Sequence, residues 1–231
     1  MKKLCIVFLL ILTGCNYKED LELEIITPQI RSLKMKFGDG SYYESLSSDD
    51  SLGVNPKAKT IVTYRLTNNS DETYYFNQVV PKNIPIENLI RIDKAFLRIT
   101  DDRESVRVSH SSPTPGPGAK IPRNLAVADA LDHHFLNMNS NFIIHPKETL
   151  YFEWFIVLPY GHMIENEPQF VQLDSNKKYL AALYLSSSNV DYKNKISMAD
   201  LKTVEKNGYK VYDGVIKSKN KVPVVFVNTL D

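Results

Sequence analysis

The densest cluster of chemistry-bearing side chains in this sequence is Asp132-His133-His134, with His110, His145 and His162 elsewhere along the chain. Zinc needs three or four donors converging on one point. Neighbouring residues on a helix diverge by about 100°, so His133 and His134 do not both face one ion. One of them could join His110 or His145, and either beside an acid could act as a general base. The plainer reading is a pair of histidines on the polar rim of an amphipathic helix, and no metal is assigned. Asp49-Asp50 and Asp101-Asp102 lack the alternating ligand spacing of a calcium loop, and turn formation accounts for them better. Glycoside hydrolysis needs two carboxyl groups about 5–10 Å apart across a cleft. Glu153 is the one acid inside a strongly patterned strand, and it belongs on the solvent face opposite Trp154. The chain has no Gly-x-Ser-x-Gly, phosphate loop, dinucleotide fingerprint or His-Glu-x-x-His. No catalytic residue and no cofactor is assigned.

Exposed aromatic rings are a second resource, because rings on loops can stack on sugars or peptides. Tyr42-Tyr43 sits in a polar loop and Tyr160-Gly161-His162 follows a strand end. Tyr42, Tyr43, Tyr160 and His162, with His133 and His134, are the candidate ligand-binding residues. Packing against the core is the competing reading for each.

The elements that must position these groups are mostly strands, because the apolar pattern has period two. Residues 30–37 read as the first strand, and 39–57 as a Gly-, Ser- and Asp-rich loop. Over 60–67, Val62, Tyr64 and Leu66 share one face. The turn Asn68-Asn69-Ser70-Asp71 follows, then a strand over 72–77. Residues 94–100 and 105–110 read as a hairpin around Asp101-Asp102. In 149–158, Leu150, Phe152, Trp154, Ile156 and Leu158 share a face. Residues 179–185 are apolar on both faces and so central. Strands over 209–216 and 222–228 follow, with Pro223 marking an edge or a strand start. Two helices are predicted. One starts at the capping box Ser197-Met198-Ala199-Asp200 and ends at Gly208. The other covers 124–135, inside a long irregular insert over 111–145 headed by Pro113-Thr114-Pro115-Gly116-Pro117-Gly118.

Thirteen Tyr, ten Phe and one Trp suit this strand-rich reading. The pattern predicts an all-β fold, an antiparallel sandwich with a long irregular insert and one or two short helices. The run 60–77 and the pairing of 148–158 with 178–186 resemble immunoglobulin-like modules of secreted bacterial proteins. That resemblance is of pattern, since the Cys-Trp-Cys hallmark is missing.

The N-terminus carries a more specific resemblance. Lys2 and Lys3 precede an apolar run over 4–12, then Thr13, Gly14 and Cys15, in the order of a secretory signal. The run is shorter than the roughly 20 residues of a membrane span. Leu12-Thr13-Gly14-Cys15 resembles the lipobox of bacterial lipoproteins. The resemblance implies cleavage before Cys15 and attachment of two or three acyl chains, palmitate among them, to that residue. One chain binds membranes only marginally, at roughly 0.8 kcal/mol per buried CH₂, whereas several hold firmly. Expected boundaries are therefore a signal peptide at 1–14, a lipidated tether at 15–28 and one domain over 29–231. No Asp follows Cys15, so the inner-membrane retention signal is absent and the outer membrane, even the cell surface, is expected. Lys18-Glu19-Asp20 resembles the export tag of surface lipoproteins in the Bacteroidetes. Asp50-Ser51-Leu52 resembles their O-glycosylation acceptor, which makes Ser51 a candidate glycosylation site.

The only cysteines are Cys5 and Cys15. Processing and lipidation consume both, which excludes disulfides and thiolate chemistry from the mature domain. Loss of residues 1–14 removes two of the 28 basic residues, leaving 26 against 27 acidic ones. A near-neutral chain with interspersed charges has no footprint for nucleic acid. The expected function is a non-enzymatic binding or scaffolding lipoprotein of the cell envelope. Its partners would be the membrane, through the anchor, and an envelope protein or glycan. The alternatives are an envelope hydrolase of glycans or peptides working through His133 or His134, and a protective lipoprotein that binds a toxin.

Overall fold

The computed structural model describes residues 19–34, 59–101, 104–109, 141–158, 160–164, 167–171 and 173–228. These are mostly strand, in antiparallel and mixed sheets, with two short helices. The chain begins with β1 (Leu21–Ile25), β2 (Ile30–Leu33), β3 (Lys59–Asn68) and β4 (Tyr74–Phe76). It continues with β5 (Ile90–Ile92), β6 (Ala95–Thr100), β7 (Val108–Ser109), β8 (Phe142–Ile144) and β9 (Thr149–Val157). Then come β10 (Tyr160–Ile164), β11 (Glu167–Val171) and β12 (Tyr179–Ser187). Helices α1 (Tyr192–Lys195) and α2 (Met198–Asn207) precede β13 (Lys210–Val211), β14 (Gly214–Lys217) and β15 (Val222–Val227).

Two sheets supply most of the core. The first has the order β1-β3-β9. Its alternation matches the sequence pattern: Thr60, Val62, Tyr64, Leu66 and Asn68 are buried, while Lys59 and Ile61 are exposed. Strand β9 pairs with β3 from Lys59↔Val157 to Thr67↔Thr149. Ile156 is buried and Glu153 is exposed, on the face opposite Trp154 as expected. The second sheet has the order β2-β15-β12-β6-β5, with β14 also pairing onto β12. One buried cluster draws Leu23, Val62, Leu66 and Ile156 from the first sheet and Leu97, Ala181, Leu183 and Leu185 from the second. Each fully buried Leu or Ile contributes roughly 1.5–3 kcal/mol. No cysteine lies among the described residues, so this cluster carries their cohesion.

Strand β12 is central, which explains its two apolar faces. Tyr179, Ala181, Leu183 and Leu185 enter the main core. Ala182 and Tyr184 join Leu89 and Phe96 in a smaller cluster on the outer face. Pro223 pairs with Leu180, whereas β2 joins β15 only from Val224 onward. Pro223 thus stands at a strand start, before the second neighbour begins.

A third sheet, β13-β4-β8, stacks Phe76 on Phe142 at 4.6 Å and on Tyr212 at 5.1 Å. Helix α2 begins where the capping box predicts: Ser197 Oγ accepts a 3.0 Å bond from the Asp200 N–H. It ends at Gly208, whose φ of 65° is the left-handed cap that glycine adopts freely. Tyr75 Oη donates to Asp200 Oδ2 at 3.4 Å and ties the helix to β4.

Several expectations need correction. Residues 21–25 are not tether. They form β1, with Leu21, Leu23 and Ile25 buried, because Leu-Glu-Leu-Glu-Ile alternates at the strand period. The sheets are not wholly antiparallel: β15–β2 and β13–β4 run parallel. Period-two patterning is the same for either direction, so sequence could not reveal this. The irregular insert stops short of 145, since β8 pairs with β4 over residues 142–144. Among the described residues the hairpin after β6 closes with one bridge, Thr100↔Ser105, and β7 then pairs with β11.

Candidate functional site

The central position of β12 means that its outer face is flanked on both sides. Arg98 of β6 lies opposite Ala182, and Lys217 of β14 lies opposite Tyr184. Cross-strand partners share a face, so these four side chains meet on one surface. With Thr100, Asp101, Glu104, Ser105 and Lys221 they line an open groove of about 300 Å³. Ala182 is the smallest side chain in this lining.

The groove is polar and its charges are unbalanced. Arg98 Nε donates to Ser105 Oγ at 2.8 Å, and Arg98 Nη2 donates to the same oxygen. Lys217 Nζ stands 6.0 Å from the centroid of the Tyr184 ring. Asp101 is committed elsewhere: Oδ1 accepts from the Glu104 N–H at 2.7 Å and Oδ2 from Lys177 Nζ at 3.2 Å. Among the described residues, Arg98, Lys217 and Lys221 form no salt bridge with a carboxylate. Three cations therefore face one acid, Glu104, that is not already engaged in a salt bridge. Such a surface can hold an anion through charge-assisted hydrogen bonds.

A second surface lies on the outer side of the first sheet. Ile61 and Phe155 are cross-strand neighbours, 56% and 45% exposed, and Tyr151 is 62% exposed. Lys59 Nζ sits 5.2 Å from the Phe155 ring centroid. Charged pairs border this face. Arg65 Nε donates to Glu24 Oε2 at 2.7 Å and Lys219 Nζ donates to Glu22 Oε1 at 2.6 Å.

The residues singled out from sequence fall elsewhere. Cys15, Tyr42, Tyr43, Ser51, His133 and His134 lie outside the described residues, as do Asp49-Asp50, His110 and the predicted helix over 124–135. Tyr160 and His162 are not on a loop. They belong to β10, where Tyr160 pairs with Phe170 and the register shifts between Tyr160 and Met163. Gly161 sits at that irregularity, a usual role of glycine in a strand. His145 caps a turn: its N–H donates to Glu148 Oε2 at 2.7 Å and its ring meets Tyr209 edge-on at 5.9 Å. Among the described residues no three His, Cys, Asp or Glu side chains are grouped to hold a metal. Asn68, the acceptor position of the formal sequon Asn68-Asn69-Ser70, is fully buried. Its Nδ2 donates to Glu72 O at 2.7 Å and His145 O at 2.9 Å, while Oδ1 accepts from Ser70 Oγ at 2.7 Å and the Ser70 N–H at 3.0 Å.

The groove cations escaped the sequence reading. Arg98 is the one charged residue within Ala95–Thr100, a weak signal of a functional outer face. Lys217 and Lys221 look like any solvent lysines until strand pairing joins them. Among the described residues no helix is long and apolar enough to cross a membrane. No protein-family model and no curated protein matches this chain.

Proposed function

We propose that this chain is a cell-envelope lipoprotein, held to the outer membrane by lipid on Cys15, whose domain works as a non-enzymatic binding module. In this proposal the domain is an immunoglobulin-like β-sandwich. Two observations support that finer reading: both major sheets feed one core cluster, and most strand pairs are antiparallel.

The observation that carries the functional reading is the groove across β6, β12 and β14, lined by three cations that have no carboxylate partner among the described residues. A rigid sheet holding unneutralised charge at fixed spacing is preorganised for a ligand. To test it, the full-length chain is immobilised from detergent and probed with matched anionic and neutral glycans and peptides. The reading predicts selective capture of anionic probes, lost in Lys217→Glu/Lys221→Glu. Capture indifferent to probe charge, or unchanged by the reversal, contradicts it. Mass spectrometry of the mature N-terminus tests the anchor separately. A diacylglyceryl mass on Cys15 is expected, and an unmodified N-terminal peptide beginning at Met1 would overturn it.

A further inference from the structure

We infer that the groove over β12 recognises an acidic saccharide, one whose sugar ring carries a carboxylate. This inference rests on the binding role proposed for that groove. Its volume of about 300 Å³ is at the lower end of small-molecule sites, about 300–1,000 Å³. That suits one or two sugar rings and not a folded partner.

The chemistry of the lining selects further. Lys217 and Lys221 each offer an ammonium without a carboxylate partner among the described residues, and Arg98 adds a guanidinium. These match a carboxylate. The remaining groups match hydroxyls. Ser105 Oγ accepts from Arg98, so its own proton remains for a ligand oxygen. Thr100 Oγ1 donates to Leu180 O at 3.4 Å and keeps its lone pairs for a donor. The Glu104 carboxylate can accept from ring hydroxyls and would repel a second nearby negative charge. A sugar acid presents one carboxylate among several hydroxyls and satisfies both sets. A run of acidic peptide side chains has no donors for Glu104 and brings further charge against it. A neutral sugar leaves the cations unmatched.

The test is calorimetric titration of the full-length protein in detergent with trigalacturonate, its methyl ester and a penta-aspartate peptide. Trigalacturonate has one carboxylate per ring and can seat its terminal ring in the groove with the others in solvent. The ester keeps every ring hydroxyl and replaces each carboxylate with a neutral methyl ester. Trigalacturonate is expected to bind, with the ester at least about tenfold weaker, in line with loss of charge-assisted hydrogen bonds. Lys217→Gln/Lys221→Gln should weaken trigalacturonate by a similar factor, and Ala182→Leu should block it by filling the groove floor. Equal binding of the ester overturns the anion-groove reading together with the acidic-saccharide assignment, whereas peptide binding as tight as trigalacturonate overturns only the saccharide assignment and leaves an anion groove standing. Heat from none of the three overturns the groove reading with it. Unchanged circular dichroism of the two lysine substitutions shows that any loss is local.

Discussion

Replacing Tyr64 by Phe should stabilise this protein. Tyr64 is fully buried on β3, its ring stacked on Phe152 at a centroid distance of 5.1 Å. Its hydroxyl ends near Asp93 and Lys94, in the turn between β5 and β6, yet finds no hydrogen-bond partner among the described residues. The approach to the Lys94 backbone falls short of hydrogen-bond geometry. Burial, and then the Asp93 carboxylate, push the phenol far above its ordinary pKa, so it stays neutral at every usable pH. A buried hydroxyl without a partner costs about 1–3 kcal/mol. Removing the oxygen recovers that cost, less the contacts the atom makes, for a net gain of about 1 kcal/mol. In a domain of this size that is roughly 2–4 °C in melting temperature. Urea denaturation followed by Trp154 fluorescence measures it, with the slope m unchanged if only the native state is affected. Tyr64→Ala is the control, and losing the ring should cost about 3–5 kcal/mol. A loss of about 1 kcal/mol or more in Tyr64→Phe would refute the reasoning, since it would mean the hydroxyl is bonded.

Three other substitutions probe the frame. Asn68→Ala removes four hydrogen bonds: two that its Nδ2 donates to the Glu72 and His145 carbonyls, and two that its Oδ1 accepts from Ser70 within the β3–β4 turn. It should cost roughly 2–6 kcal/mol in urea denaturation at about 0.5–1.5 per bond, whereas Asn69→Ala should cost little. Burial works against the charge of Glu24, but hydrogen bonds from Arg65 and Lys219 outweigh it and hold the carboxyl below its ordinary range. Ionised Glu24 then contributes stability above an unfolded pKa of about 4.3, lost as pH falls through the lower folded value. The stability gap between wild type and Glu24→Gln should therefore shrink between about pH 5 and about pH 2, and a gap independent of pH would count against the pairing. Ser197→Ala deletes the α2 cap and should cost about 1 kcal/mol by thermal melting, with Ser197→Asp near neutral.

What could be read from sequence follows the range of the physics involved. Strands β3 and β9 were legible because one buried face imposes period two on their own residues. Helix α2 was legible because Ser197, Asp200 and Gly208 act within a turn or two of each other. The double apolar face of β12 likewise announced a central strand. Strand β1 carried its alternation openly, but the polar stretch before it invited a tether. Strand direction escaped because β2 lies beside β15, at the far end of the chain, and nothing local encodes that parallel pairing. The groove escaped for the same reason. Arg98 and Lys217 are 119 residues apart, and only the registers Ala182↔Arg98 and Tyr184↔Lys217 join them.

The most direct test of the binding account is hydrogen–deuterium exchange of the full-length protein, with and without an anionic glycan that it captures. Slowed exchange at residues 95–101, 180–187 and 214–221 is predicted, reversed by Lys217→Glu/Lys221→Glu. Protection confined to the β3–β9 face around Ile61 and Phe155, with the groove strands unchanged, would contradict it.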